Sequence, residues 1–547
     1  MLPKYLTGRS GKVAEMKKEM MIFDRSRGPI EMCREKLHDF CRKAFPWAAV
    51  LAYGAFLTYA LYAKGTGNIE LLGISLAFVL LIIIWLLRGK IRCIWDSASK
   101  AISRRSNVCV RRHFRSVTTA CVCASLFVFV VVDSRGRWNQ LISCLGILFF
   151  LVVCFLLSTN PSKVAWSTVW AGIAIQAVCG LLVLRWSAGS RAFQYVSDAI
   201  ATFLGYSNHG ARAVFGEKYT DHPFATQVGS SVIWFSAVTS LLYHVGVMQR
   251  VVYVVGWLVR KLMNTEISES FVTAANIFLG PQGSMLMVQP MLAEATPSQL
   301  HAMLASGMAT IAGGIMAVFI GMGIPATHLI AASFISAPAS LVISKLLLPE
   351  DKKVHRSATL KFGEREKENW LSAFCRGAGV GIPVTAGILA VLIATLAGLQ
   401  FINATLAWLG KRIGIVGLTF QYLISLPLIP VTFLLGVDWV DCPLVAELIG
   451  TKTILNEFIA YTELSKLIKN RQAGISPALS IRSEAIATYA LCGFSNVGTL
   501  GMMIGFMSIL APSRTGTVAQ IAVRSLMTAN IACLMTACVA GLLYRES

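Results

Sequence analysis

Two short polar turns interrupt otherwise apolar stretches and carry the groups best suited to chemistry. One is Asn456-Glu457 in TKTILNEFIAYTE (451–463); the other runs from Gly493 through Ser495, Asn496 and Gly498 to Thr499 in ALCGFSNVGTLG (490–501). A carboxylate at the centre of a bilayer costs roughly 2.5 to 3.5 kcal/mol on insertion scales, and non-helical backbone at that depth survives only against protein or a cavity. Glu457 therefore needs a reason. A salt bridge within a bundle, or a shallow place near the interface, is one reading; a ligand is the other, favoured by the adjacent Asn456 and by the second break. Gly493 and Gly498 make a continuous helix costly. An opened helix offers free N–H and C=O groups, and with Asn496 and Thr499 it suits a neutral, hydroxyl-rich ligand, although small polar residues also serve simply to pack helices.

A second pair of segments is rich in neutral oxygens. NIFLGPQG (276–283) and GMATIAGGIMA (307–317) contribute Asn276, Thr310 and exposed carbonyls. Hard cations take oxygen ligands. The residues alone hint at a sodium site and fit small-residue helix packing equally well.

The elements that must position these groups follow from hydropathy. Of 547 residues 55% are hydrophobic and only 14% charged, where a soluble domain has about a quarter charged. The chain reads as an all-α polytopic membrane protein. A crossing takes roughly 20 apolar residues, and candidates fall at 46–63, 70–87, 117–132, 140–158, 164–184, 226–248, 299–321, 326–346, 374–400, 483–508 and 518–543. That makes about eleven transmembrane helices. Residues 190–205, 251–262 and 418–436 are expected along the interface. Residues 266–293, broken by Gly280-Pro281-Gln282-Gly283, and 441–468, broken at Asn456-Glu457, read as re-entrant helical hairpins. Interfacial helix, polar-tipped hairpin and interrupted helix occur once over 251–321 and again over 418–508, entering from opposite sides by the crossing count. Inverted repeats with broken elements at the midplane are the architecture of secondary transporters.

The expected organisation is a basic cytoplasmic tail (1–45), N-terminal transmembrane helices (46–184), an interfacial helix and scaffold span (185–250) and a first repeat (251–346). A charged cytoplasmic loop (347–373) and a second repeat (374–547) complete it. The net charge of +22 gathers in residues 1–45 and 88–115. Both flank apolar spans, which marks the cytoplasmic side and some attraction to anionic lipid, with no nucleic acid expected. The N-terminus is expected inside and the C-terminus outside. Fourteen cysteines, among them Cys121, Cys123, Cys144 and Cys154, lack any Cys-x-x-Cys spacing and read as buried apolar side chains. The tail carries no apolar core with a small-residue cleavage site, so a signal peptide is not expected. An enzyme is not expected either: there is no phosphate-binding Gly-x-x-x-x-Gly-Lys loop, no His-Glu-x-x-His helix and no evident histidine base for Ser495.

Six ordered motifs carry a resemblance. FGEKYTDHPFA (215–225), ATIAG (309–313), SFISAPASL (333–341), TKTILNEFIAY (451–461), IRSEAIATYALCGFSN (481–496) and APSRTG (511–516) together resemble the concentrative nucleoside transporter family over about 190–543. The resemblance implies a plasma-membrane homotrimer importing nucleosides with sodium, by an elevator-like shift of the hairpin domain, without a cofactor. It implies that Glu457, Asn496 and Thr499 bind ribose, that Phe494 and Ile315 contact the ligand, and that Asn276, Thr310 and the carbonyls of Leu279 and Ile311 hold sodium. Thr499 stands where the family usually has Ser and keeps the hydroxyl. At the first tip the family usually reads Gln-Thr-Glu and this chain Pro281-Gln282-Gly283, so a carboxylate is missing and Gln282 is left to meet the base. A related ion-coupled transporter of another polar solute or with proton coupling, and a non-transporting nucleoside sensor, are the other readings.

Overall fold

Backbone polar groups that lose water must bond within their own segment or be met by side chains, and the fold follows from where this chain departs from that rule. The computed structural model describes residues 138–220, 224–351, 369–412, 414 and 417–545, which are helical with no strand among them. The basic tail, the expected spans at 46–63, 70–87 and 117–132, the basic loop 88–115 and residues 352–368 of the charged loop lie outside the described residues.

Two helices, α1 (Trp138–Leu156) and α2 (Trp166–Leu184), precede the amphipathic α3 (Ser187–Gly205) and the short α4 (Ser207–Phe215). Helix α5 (Gly229–Val245) follows, and then α6 (Val247–Met263), α7 (Ile267–Met287), α8 (Pro297–Ala309), α9 (Gly313–Gly321) and α10 (Ala326–Leu347). Helix α11 (Trp370–Arg412) leads to α12 (Phe420–Leu434), α13 (Cys442–Ile454), α14 (Glu457–Ala473), α15 (Ile481–Leu491), α16 (Val497–Leu510) and α17 (Thr515–Leu543). Among the described residues seven helical stretches are long and apolar enough to cross a membrane, the segment Pro297–Gly321 (α8 with α9) counting as one.

One element differs from the sequence expectation in length, and one expected interruption is in place. The span expected at 374–400 is part of a continuous 43-residue helix, about 65 Å long at 1.5 Å per residue. Its apolar run ends near 400, but nothing in FINATLAWLG (401–410) breaks a helix, so helical geometry outlasts the hydropathy signal. The span expected at 483–508 is two short helices, α15 and α16, parted by Cys492–Asn496.

The order α6, α7, α8 and α9, α10 is matched by α12, α13 and α14, α15 and α16, α17. Within α7 the helix breaks at Gly280, whose φ of 74° is left-handed. A Cβ there would stand 2.8 Å from the Cβ of Ala312, so glycine is needed for both its conformation and its closeness to the α8/α9 break. The two broken helices also meet one another. Gly493 has φ 148°, and a Cβ on it would lie 2.9 Å from the carbonyl oxygens of Met308 and Ala309. The unwound points are thus in contact, and the last helix of each repeat serves their carbonyls. Ser336 Oγ of α10 donates to Ala309 O at 2.6 Å, and Cys533 Sγ of α17 donates to Cys492 O at 3.1 Å.

The root of the first hairpin is fixed by charge. Lys345 of α10 pairs with buried Glu269 of α7 at 2.6 Å and donates to Ser298 of α8 at 3.0 Å. Caps start both elements: Glu266 and Glu269 form a reciprocal box at α7, as do Thr296 and Gln299 at α8. Helices α5 and α11 pack chiefly along each other.

The contact of the two breaks yields a stability prediction. Gly493→Ala forces a side chain into a left-handed backbone position against two carbonyl oxygens, so it should destabilise the protein by about 1 to 3 kcal/mol. Thermal unfolding in detergent checks this through a lower Tm.

Candidate functional site

The second hairpin builds one half of the site from its caps. Leu455 leaves helical geometry, Asn456 is extended, and the Asn456 carboxamide oxygen accepts from Ile459 N–H at 3.0 Å, restarting the chain as α14. That makes Glu457 the first residue of α14, where the N-terminal end of a helix favours negative charge. The same device opens α16: Asn496 Oδ1 accepts from Thr499 N–H at 2.7 Å. Its remaining amide group points the other way. Asn496 Nδ2 donates to Glu457 Oε2 at 2.6 Å, between two side chains that are 2% and 3% exposed. One asparagine thus caps a helix and holds a carboxylate.

Around this pair the sequence-predicted residues fall as follows. Thr499 is buried one turn into α16, and Phe494 is buried in the break itself. Ile315 lies in the first turn of α9, half-buried, against the core cluster that includes Phe494 and Phe458. Helix α9 reaches α14 through Phe319, whose ring is 4.2 Å from Tyr461 and 5.4 Å from Phe458.

The first hairpin supplies the other half. Pro281 is seated close to Gly307 of α8, and Gln282 reaches across to α16, its Nε2 donating to Met502 Sδ at 3.0 Å. Met502 is 46% exposed and lies three residues after Thr499, on the same side of α16. Behind the tip, Asn276 Nδ2 donates to Ser306 Oγ at 3.3 Å and its Oδ1 accepts from Ser284. Thr310 ends α8 and donates back to Ser306 O at 3.2 Å, which leaves its oxygen lone pairs unspent. Leu279 precedes the Gly280 break and Ile311 lies in the unwound link that Gly280 touches, so these two stretches of backbone are neighbours. The structure groups Asn276, Leu279, Thr310 and Ile311 on the hairpin and broken helix of one repeat. Glu457, Asn496, Thr499 and Phe494 lie on those of the other, with Gln282 and Ile315 facing them.

Several residues escaped the sequence reading. Lys452 is only 1% exposed, donates to Ala490 O at 3.0 Å and is within electrostatic reach of Glu457. Ser284 and Ser306 flank Asn276. Asn530, an amide in the apolar α17, bonds Thr453 and Ser495. A lysine or an asparagine inside an apolar run was the available signal in both cases. The serines carried none, because small hydroxyl residues are common in packed helices.

Paired inverted units of hairpin and broken helix, with polar tips converging where the breaks cross, define the class of secondary transporters. Comparison with known proteins makes the class specific. Residues 145–218 match the family profile of the Na+ dependent nucleoside transporter N-terminus, 225–326 that of nucleoside recognition, and 328–541 that of the Na+ dependent nucleoside transporter C-terminus. The chain is 43% identical over 430 residues to solute carrier family 28 member 3 of Eptatretus stoutii, covering 77% of this chain and 63% of that protein. To its Rattus norvegicus namesake it is 38% identical over 539 residues, 95% of this chain and 76% of that one. To sodium/nucleoside cotransporter 1 of Homo sapiens it is 41% identical over 428 residues, 77% and 66%. The chain thus spans a little over three fifths of the first of these relatives. An inward-facing substrate-bound structure of CNTnw superposes with a TM-score of 0.70 at 33% identity, over 74% of this chain and 98% of that one. An outward-facing CNTnw variant gives 0.71 with 99% of its chain covered. The chain belongs to the Na+ dependent nucleoside transporter family.

The two caps differ in what they hold, which a pair of substitutions separates. Asn456→Ala removes a cap and a neutral hydrogen bond to Thr395, together worth about 1 to 2 kcal/mol. Asn496→Ala removes a cap and also the donor to a buried carboxylate, so its loss should be larger, about 2 to 4 kcal/mol. Chemical unfolding midpoints in detergent should fall in that order.

Proposed function

We propose that the protein is a sodium-coupled nucleoside symporter importing nucleosides across the plasma membrane. The observation that carries this reading is the buried Glu457–Asn496 pair, 2.6 Å apart, beside the crossing of the two broken helices. A carboxylate and a carboxamide held together in a water-poor site are matched to vicinal hydroxyls, since the carboxylate accepts from an O–H and the amide donates to its oxygen. Glu457, Asn496 and Thr499 are the ribose ligands in this reading. Phe494 and Ile315 supply apolar contact, and Gln282 meets the base from the first tip. Binding and release, and no bond making, are what such groups do.

Sodium is the coupling ion, taken by Asn276 Oδ1, Thr310 Oγ1 and the carbonyls of Leu279 and Ile311, a neutral all-oxygen set suited to a hard cation. Entry of one charge across 100 mV supplies about 2.3 kcal/mol, roughly fifty-fold in accumulation. The hairpins and broken helices then shift past α5 and α11 between the two sides of the membrane. We further place the N-terminus in the cytoplasm and the C-terminus outside, in a homotrimer embedded in lipid. CNTnw has been seen in both inward-facing and outward-facing states, which supports alternating access for a chain of the same fold.

The neutral first tip favours one second reading, the same fold carrying a different polar solute. With Gly283 in place of a carboxylate, Glu457 serves alone. A Cβ at Gly283 would lie 3.1 Å from the Cβ of Leu279 and near no other neighbour, so a larger side chain enters there with a shift of a few tenths of an ångström at Leu279.

Radiolabelled uridine, adenosine and inosine uptake in expressing cells tests the proposal: replacing sodium by choline should abolish it, and competition by non-nucleoside solutes without competition by uridine would assign another cargo. Glu457→Gln should lower nucleoside affinity or flux at least tenfold, on the order of a charged hydrogen bond, at normal surface expression. Unchanged kinetics would remove Glu457 from the site. Thr310→Val, nearly isosteric, should raise the sodium concentration for half-activation; an unmoved curve would put the ion elsewhere. Restoring the tip with Pro281→Gln, Gln282→Thr and Gly283→Glu should raise affinity or sharpen base selectivity, and a weaker, less selective transporter would mean that the native tip has its own recognition chemistry.

A further inference from the structure

Asn530 sits in the apolar helix α17, where a primary amide is out of place unless all its hydrogen-bonding capacity is used. All of it is used. Its Oδ1 accepts from Ser495 Oγ at 3.2 Å and from Thr453 Oγ at 3.1 Å, a hydroxyl whose one hydrogen is shared with Ile449 O at 2.9 Å, while its Nδ2 donates to Ser495 O at 3.0 Å and to Leu526 O at 3.1 Å. Only the last bond is local to α17. The other three reach two separate elements, and both are the ones that carry the Glu457–Asn496 pair. Thr453 is in the last turn of α13, four residues before Glu457, and Ser495 directly precedes Asn496 in the α15/α16 break.

One of those backbones is unwound at the bonded residue itself, and the other leaves its helix two residues beyond it. Leu455 and Asn456 are outside helical geometry, and so are Cys492 to Asn496. A hairpin tip and an unwound strand would each drift by more than the tolerance of a short hydrogen bond, and misplacement by about 1 Å is enough to spoil a positioned contact. A single amide that bonds to both adds a tie from a third helix to those that Asn496, Lys452 and Tyr461 make directly between them. We propose that Asn530 is a positioning residue for ligand binding: through Thr453 and Ser495 it sets the spacing between Glu457 and Asn496, and thereby the affinity for the vicinal hydroxyls of the ligand. The sodium ligands Asn276 and Thr310 belong to the other repeat and make no bond to Asn530. The brace therefore acts on ligand affinity more than on sodium activation. The inference rests on the reading of Glu457 and Asn496 as hydroxyl ligands.

The test compares uridine uptake, normalised to surface protein, for Asn530→Leu, Thr453→Val and Thr453→Ser, with Glu457→Gln in parallel. Asn530→Leu keeps side-chain volume and removes every bridge. It should raise the half-saturating uridine concentration about three- to tenfold, the range of one or two lost hydrogen bonds, and leave half-saturating sodium within about twofold. Thr453→Val removes one hydroxyl at constant shape and should move uridine affinity in the same direction, while Thr453→Ser, which keeps the hydroxyl, restores it. A merely structural amide would lower the amount of transporter at the surface and leave the uridine half-saturation alone. Native half-saturation in both Asn530→Leu and Thr453→Val, alongside a strong Glu457→Gln defect, overturns the brace and spares the binding site. An equal shift for sodium and uridine also overturns it. If Glu457→Gln itself has no effect, the binding site and the brace fall together. Should Asn530→Leu fail to reach the surface, the two Thr453 variants decide the matter.

Discussion

A backbone carbonyl or N–H that has lost both water and its helical partner costs roughly 1 to 3 kcal/mol, and among the described residues the two hairpins and two broken helices leave helical geometry at Gly280, at Thr310–Ala312, at Leu455–Asn456 and at Cys492–Asn496. Everything near the site follows from how those groups are met. Asn456 and Asn496 restart helices by capping them. Ser336 and Cys533 serve the carbonyls at the ends of the preceding segments. Gly280 and Gly493 let the breaks come within contact of one another. The helices that close each repeat, α10 and α17, are therefore more than spans: their polar side chains complete a backbone that the hairpins and broken helices leave unfinished.

Because the caps are asparagines, satisfying the backbone also places chemistry. Each carboxamide has an oxygen and a nitrogen, and once the oxygen is committed to a helix start the nitrogen is free for another partner. Asn496 uses it on Glu457, and Asn456 uses it on Thr395 of α11 at 3.2 Å. The first joins two elements of the second repeat. The second touches the long helix past which those elements would have to move. Capping a helix and holding a buried carboxylate are met by one side chain, so the Glu457–Asn496 pair is tied to the start of α16.

The two halves of the site are held unequally. Around Glu457, bonds from Asn496, Lys452, Asn530 and Tyr461 tie the second hairpin and its broken helix together. The tip of the first hairpin reaches α16 through one N–H to sulfur contact, Gln282 to Met502, and a thioether is a weak acceptor on a flexible side chain. The second tip is thus held by several bonds and the first by one weak contact, and their compositions differ in the same sense: Pro281-Gln282-Gly283 carries no charged side chain, whereas the second tip carries Glu457 beside Asn456.

The membrane class, the hairpins, the order of the two repeats and the polar residues at their tips are legible in the chain because each is written locally. Hydropathy length gives spans, glycine and proline inside apolar runs give breaks, and an isolated carboxylate such as Glu457 demands a partner. Six motifs in order make the family legible as well. Which tip faces which, the seat of Gly493 against Met308 and Ala309, and Asn496 as the partner of Glu457 emerge only in the folded molecule. The length of α11 was hidden because helical geometry continues where hydropathy stops. The partners of Asn530, Ser306 and Lys452 were hidden for a different reason: a hydrogen bond between residues 30 to 77 positions apart leaves no periodicity in the chain. It exists only once the crossing of two broken helices has brought their ends together.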